Sequence, residues 1–301
     1  MSSFTILVDT NTDLPQEYMD KHGIEMIPIP FHIDETQHSG GRWQEISEKE
    51  FYNALRSGSV AGTALINQEA FSDLFSKYAE NGEALLLITL SSGLSGTYEN
   101  SVIALEDVRG RYPDCEIYSV DSANAAGGAA LVTTLAVDKR EEGLSARETA
   151  EWLEVKKHSC LSLFTVDDLM YLHRGGRLSK LSAVAGSIIG IKPLLNVAPD
   201  GTLKLKDKVR GRKGAIAKLF SQMKRSLNPD RTKLGTVIIS HSDCYDDAET
   251  LAKMIRASFE VGELVLVMMG PVVGAHVGPG CIALFFEADM ARPEYEERFY
   301  G

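Results

Sequence analysis

The residues best suited to chemistry lie between Ile88 and Asn100, ITLSSGLSGTYEN. An apolar run stops at Ser91, and serines, glycines and a threonine follow before a helical pattern resumes. Such a loop concentrates hydroxyl and backbone N–H donors at a helix start, where an anion is favoured. Four readings fit these residues. A serine can simply cap the helix. A phosphate can sit on the helix N-terminus, but G-x-x-x-x-G-K-[ST] and G-x-G-x-x-G are both absent. G-L-S-G-T (93–97) is one residue short of the G-x-S-x-G elbow, because Thr97 stands where the last glycine should be. That reading makes Ser95 a nucleophile with His276 as its base. The fourth is a carboxylate held by hydroxyls and amides, which needs no formal positive charge.

Other groups invite chemistry less strongly. His276 stands among glycines and prolines in GPVVGAHVGPG (270–280), which predicts a bent backbone that presents it. Near a ligand it would donate a hydrogen bond or, protonated, a charge. Arg210, Arg212 and Lys213 form a basic cluster before a helix. SHSDCYDD (240–247) resembles a metal site, but its acids suit the first turn of a helix, with Ser242 or Asp243 as cap. No metal is expected. His173, Arg174 and Arg177 flank a glycine pair and read as a structural turn. Asp9 and Asp121 end strands, where bonding to loops is the expected role.

The elements that must position these groups alternate. Strands are predicted at 4–8, 84–90 and 115–120, with helices at 68–80, 96–108, 125–141 and 146–157 between and after them. Residues 24–31 read as extended, since two prolines exclude a helix interior. Ser47 and Glu50, and Ser145 and Glu148, have capping-box spacing. This alternation predicts a parallel sheet covered by helices, with the ligand at the carboxyl ends of its strands. Beyond about residue 160 the pattern becomes a mixed α+β domain, with a hairpin turning at Pro199–Thr202. The expected division is an N-terminal α/β domain over 1–160, a C-terminal α+β domain over 161–290, and a solvated tail over 291–301. The ligand would lie between the two domains.

The 301 residues carry a formal net charge of −11, which argues against nucleic-acid binding. No apolar run is long enough to span a membrane, and MSSFTILVDTNTD does not read as a signal peptide. Four scattered cysteines without a C-x-x-C pair predict free thiols in a reducing cytoplasm.

In order along the chain, VDTNTDLP (8–15), LSSGLSGTYENS (90–101), VDSANAAGG (120–128), LMYLHRGGRLSK (169–180), GIKPLL (190–195), VRGRKGAI (209–216) and GPVVGAHVGPG (270–280) resemble the DegV family. The resemblance implies a bacterial cytoplasmic protein of two α/β domains that binds one long-chain fatty acid and uses no cofactor. It implies a lipid carrier rather than an enzyme. The partner would be a separate kinase subunit, which phosphorylates the bound acid for phospholipid metabolism, and transient contact with a membrane surface is a further expectation. Carried across by motif, the carboxylate binders are Ser95, the Gly96 amide, Thr63 and His276, and Arg210 serves phosphoryl transfer. Thr63 lies in GTALIN (62–67), where Ala64-Leu65-Ile66 replace the family's S-Q-P. By position, Ile27, Ile29, Phe31, Phe164, Ile188, Ile189 and Ile191 are candidates for the acyl tunnel. The competing class is the serine hydrolase built on Ser95 and His276.

Overall fold

A computed structural model describes residues 4–41, 43–178 and 190–300. The chain opens with β1 (Thr5–Asp9), α1 (Gln16–His22) and β2 (Ile24–Ile27). Next come β3 (Phe31–Ile33), β4 (Thr36–His38), α2 (Glu48–Arg56) and β5 (Ala61–Thr63). The three short strands form an antiparallel ribbon in the order β4-β3-β5. Of these three, the sequence foreshadows only the start of β3, because three residues carry too little alternation to stand out. Then follow α3 (Gln68–Asn81), β6 (Leu85–Thr89), α4 (Thr97–Arg111), β7 (Ile117–Asp121), α5 (Gly127–Glu141) and α6 (Ala146–Lys156). Sheet order β2-β1-β6-β7 is parallel throughout, as the alternation predicts. Both capping boxes form: Ser47 and Ser145 accept from Glu50 and Glu148 N–H, and those carboxylates accept in return.

From Cys160 onward the chain builds a second sheet. Its parts are β8 (Cys160–Thr165), α7 (Met170–Arg174), β9 (Ile191–Val197), β10 (Leu203–Arg210), α8 (Arg212–Arg225) and β11 (Lys233–His241). They continue with α9 (Tyr245–Arg256), β12 (Glu260–Met268), α10 (Pro271–Val277), β13 (Ile282–Glu287) and α11 (Arg292–Tyr300). The order is β10-β9-β8-β13-β11-β12, with β11 and β12 parallel and the other pairs antiparallel. β9 and β10 are the predicted hairpin.

Helix α5 joins the two sheets. Gly127 through Thr134 are all buried, and so are Ala136 and Val137. A helix apolar all round must be covered all round. One side of α5 meets β1 and β6, and the other meets β8, β11 and β13. At Gly127 a β-carbon would lie 2.5 Å from the Phe285 ring, so only glycine admits the second sheet this closely. Ile6, Val8 and Ile88 therefore share one core with Ile238, Ala283 and Phe285.

The segment expected as a solvated tail is not one. Arg292 is only 1% exposed, and its guanidinium binds backbone carbonyls. Nε and Nη2 donate to Cys160 O at 3.1 and 3.0 Å, and Nη1 to Ala123 O at 2.5 Å. Tyr295 is buried in the core of the second sheet. The sequence hides this because the residue that docks the helix is a charged one, and polarity patterns place arginine outside.

Candidate functional site

The 91–96 loop is held from below by the two strand-ending aspartates. Asp9, fully buried, accepts from Leu90 N–H at 2.8 Å and Asn11 N–H at 3.0 Å. Burial pushes its pKa up to about 6, partly offset by the hydrogen bonds from Asn11 and Leu90. Asp121 accepts from Ser92 N–H at 3.2 Å, Ser92 Oγ at 2.6 Å and Ala123 N–H at 2.7 Å. Both carboxylates are thus occupied with loops. From above, the β9–β10 turn rests on the loop. Ser91 Oγ donates to Gly201 O at 2.9 Å, and a β-carbon on Gly93 would lie 2.6 Å from the Gly201 carbonyl carbon.

So placed, Ser95 is half-buried at the mouth of α4. Gly96, not a serine, is the N-cap residue of that helix. Ser95 Oγ accepts from Thr97 N–H at 3.3 Å and lies 3.0 Å from Thr97 Oγ1. An oxygen that accepts from an amide keeps its own proton for a further acceptor.

His276 arrives from the other half of the chain. It sits on α10, a short helix with Pro271 at its first turn, rather than on a bent loop. Glycine and proline at this density resemble a turn in sequence, yet here they start and end a helix. The ring Nε2 is 2.9 Å from Thr63 Oγ1 on β5. Burial, reinforced by the Arg177 charge, pushes the imidazole down to about 4. It is therefore neutral at pH 7, which corrects the cationic role considered from sequence. Ser95 is not its hydrogen-bond partner, and Nδ1 has none among the described residues. A hydrolytic triad needs both contacts, base to nucleophile and base to an orienting acid, and neither is made.

Ser95, Thr63 and His276 all line a cavity of about 90 Å³, counted as room for the centres of water molecules. That is several times the ~10–15 Å³ one water requires. Its walls are apolar: Ile29, Leu90 and Leu94 from the first half, Phe164, Val197, Leu203, Val272 and Phe285 from the second, with Ala125, Ala126 and Ala283 between. Ala126 holds φ at 53°, a strained backbone for alanine, and its N–H donates to Asn11 Oδ1 at 3.0 Å. A small side chain at this turn leaves the floor of the cavity open.

The predicted tunnel residues divide. Ile29 and Phe164 line the cavity. Ile27 and Phe31 do not: Ile27 packs beside Ile29 against the core between α3 and α4, and Phe31 turns into a cluster with Phe51 and Tyr52. Ile191 pairs with Arg210 and does not line it either. Ile188 and Ile189 lie outside the described residues. Arg210 is exposed at the end of β10 and borders no part of the cavity. Arg212 is committed elsewhere, to Asp247 at 2.8 Å and Asp167 at 3.4 Å. α9 does begin at the predicted place with acids in its first turn, but neither Ser242 nor Asp243 caps it.

Arg177 is the residue that the sequence undervalues. The turn at Gly175-Gly176 is real, with Gly176 at φ 72°. It delivers Arg177 to the cavity wall beside Ser95 and His276. Nε donates to Leu94 O at 3.0 Å and Nη1 to Gly175 O at 2.5 Å. Two arginines around a glycine pair in LHRGGRLSK are the only signal, and charge alone does not separate an inward from an outward residue. The whole site is a narrow apolar space with hydroxyls, a neutral imidazole and one guanidinium at its polar end. It suits an amphiphile with an extended tail and an acidic head. Among the described residues no cluster of metal-ligating side chains occurs, and no helix is long and apolar enough to cross a membrane.

The chain as a whole is similar to known proteins. Residues 3–289 match the model of the DegV family, described as uncharacterised protein, DegV family. A DegV domain-containing protein of Clostridium perfringens is 38% identical over 294 residues, covering 97% of this chain and all of that one. A solved structure of a hypothetical protein from Thermotoga maritima, described as revealing fatty acid binding function, superposes with a TM-score of 0.82 at 31% identity, covering 96% of this chain and all of the other. The B3 protein of the Streptococcus pneumoniae fatty acid kinase, loaded with linoleic acid, superposes with a TM-score of 0.81 over 95% of this chain and all of its own. At 19% identity that likeness is one of fold. On the match across nearly its whole length, this chain belongs to the DegV family.

Proposed function

We propose that this protein binds one long-chain fatty acid in the cavity and presents its carboxylate to a separate kinase. The observation that carries the reading is an apolar cavity whose lining includes three uncharged polar side chains, Ser95, Thr63 and His276. The tail supplies the affinity. A chain of ~14 methylenes at ~0.8 kcal/mol each reaches ~11 kcal/mol, an upper bound before the ordering costs of binding. The hydroxyls and the Gly96 amide set which end faces out, and Arg177 adds charge complementarity to the carboxylate. His276 keeps the Thr63 hydroxyl in place without placing a second cation in the wall.

The Thermotoga maritima relative, described as binding fatty acid, supports the ligand class. The Streptococcus pneumoniae fold neighbour, a fatty acid kinase protein, supports the phosphoryl-transfer context. Arg210, exposed on the second half, is assigned to the face toward the kinase. In this reading the protein is a cytoplasmic carrier and leaves the chemistry to its partner.

The test is mass spectrometry on protein purified from bacterial cells, followed by palmitate titration after delipidation. A copurified long-chain acid and saturable uptake are expected. Protein that carries no lipid and takes up none refutes the reading. Arg210→Ala should retain the acid while slowing its phosphorylation.

A further inference from the structure

One polar side chain in the cavity wall has no part in holding a carboxylate. Ser162 lies on β8, two residues before Phe164 and opposite Phe285 in register, while Phe164 stands opposite Ala283. Side chains alternate along a strand and paired residues share a face, so Ser162 is on the face that carries these three. It lines the cavity with them and is only 1% exposed. Its hydroxyl proton is already committed. Oγ lies 2.6 Å from Asn124 Oδ1. The Asn124 amide is oriented by its own Nδ2, which donates to Ser122 O at 3.1 Å. Oδ1 can only accept, so the serine must donate. The start of α5 is shaped around the pair: a β-carbon on Gly128 would lie 2.8 Å from both Ser162 Oγ and Asn124 Oδ1. Ser162 Oγ therefore keeps its lone pairs, and among the described residues no group donates to them.

A buried acceptor left without a donor is costly against a plain methylene tail. A carboxylate does not relieve it, because an ionised acid has no proton to give. A trapped water needs at least two polar partners, and Phe164, Ala283 and Phe285 beside Ser162 offer none from their side chains. The donor that this wall lacks is one that a ligand can bring. The uncharged donor that an otherwise apolar tail can carry is a hydroxyl.

We propose that the cavity is suited to a long-chain acid bearing a hydroxyl on its tail, and that Ser162 Oγ accepts from that hydroxyl. This rests on the fatty-acid reading and narrows its ligand class. Ser162 then both accepts and donates, and the hydrogen bonds run from the ligand through Asn124 to Ser122 in the loop before α5. The position of the hydroxyl along the tail becomes the basis of selection. A hydroxyl that misses Ser162 is buried among apolar walls with no partner, which is worse than having none.

The test titrates delipidated protein with stearic acid and with positional isomers of hydroxystearic acid, the hydroxyl moved stepwise along the chain. In wild type one position, or two adjacent ones, should bind about tenfold tighter than the other isomers and at least as tightly as stearate. Ser162→Ala should erase that preference and bind stearate as wild type does or better. The wild-type profile decides without the variant, should the loss of a donor to Asn124 unsettle the fold. Wild type that binds stearate but holds every hydroxy isomer equally more weakly overturns the proposal, as does a positional preference that survives in Ser162→Ala. Wild type that binds neither stearate nor any isomer overturns the fatty-acid reading itself.

Discussion

Replacing Ala283 by leucine turns the cavity into a measurable quantity. Ala283 lies on β13, opposite Phe164 in register and on the same face as Phe285. All three line the cavity. Leucine adds carbon equivalent to about three methylenes of ligand, which the tail then cannot occupy. At ~0.8 kcal/mol per methylene the loss is ~2.4 kcal/mol, or about fiftyfold in Kd for palmitate. An acid too short to reach Ala283 should lose nothing, so the penalty should grow with chain length. The ligand-free protein should respond in the opposite sense. Filling an empty apolar space stabilises, so Tm should rise by about 2–4 °C for each kcal/mol gained. Calorimetric titration with a series of acids, together with thermal melts of delipidated protein, reads both effects. A variant that melts lower and binds palmitate as wild type does would mean that Ala283 faces packed core, where added bulk costs ~1–3 kcal/mol. The assignment of the cavity would then be wrong.

Three further outcomes are expected. Ser95→Ala should weaken palmitate by roughly tenfold or more, as loss of a hydrogen bond to a charged group costs ~1.5–3 kcal/mol, while leaving Tm of the free protein nearly unchanged; titration calorimetry checks it. His276→Gln should flatten the acid limb of the stability profile. The folded imidazole titrates near 4 against about 6.5 unfolded, so the unfolded state takes the proton first and wild type loses stability as pH falls between those values. At pH 5 that difference is ~2 kcal/mol, read by urea melts of both proteins. The Asp9 shift has the opposite sign, costing stability as pH rises from 3.8 toward 6, but both proteins share it and it cancels in the comparison. Arg292→Met should cost ~3 kcal/mol or more in urea melts, because it strips the Cys160 and Ala123 carbonyls of buried donors.

The parts of the fold legible in the sequence are those with a strong period or a specific end signal. The capping boxes at Ser47 and Ser145 and the turn at Pro199–Thr202 fall where their spacing places them. The short ribbon β3-β4-β5 lacks such signals, and in helix α10 the proline and glycine at its ends resemble a turn, although these elements carry Thr63 and His276. Ser95 could be found because hydroxyls gather visibly at a strand end. Its meeting with His276 is set by the packing of two sheets on α5, and no local pattern encodes that. The same limit explains the tunnel residues. Ile27, Ile29 and Phe31 are equally apolar, and only the packing of the 24–31 segment decides that Ile29 alone borders the cavity. Arg177 and Arg292 fail in the other direction: each is a charge drawn inward by backbone carbonyls, which sequence does not display.

Because α5 belongs to both sheets, the two halves of this chain cannot swing apart like jaws. Parting them there would wet Leu131, Val132 and Val137 together with their neighbours on either side, undoing the shared core. On the proposed fatty-acid reading, a long acid must therefore thread in past smaller pieces at the cavity's edge, such as the hairpin tip resting on Gly93. The speed of lipid exchange should follow a handful of latches of the Ser91–Gly201 kind, and should be tunable there without loosening the protein as a whole.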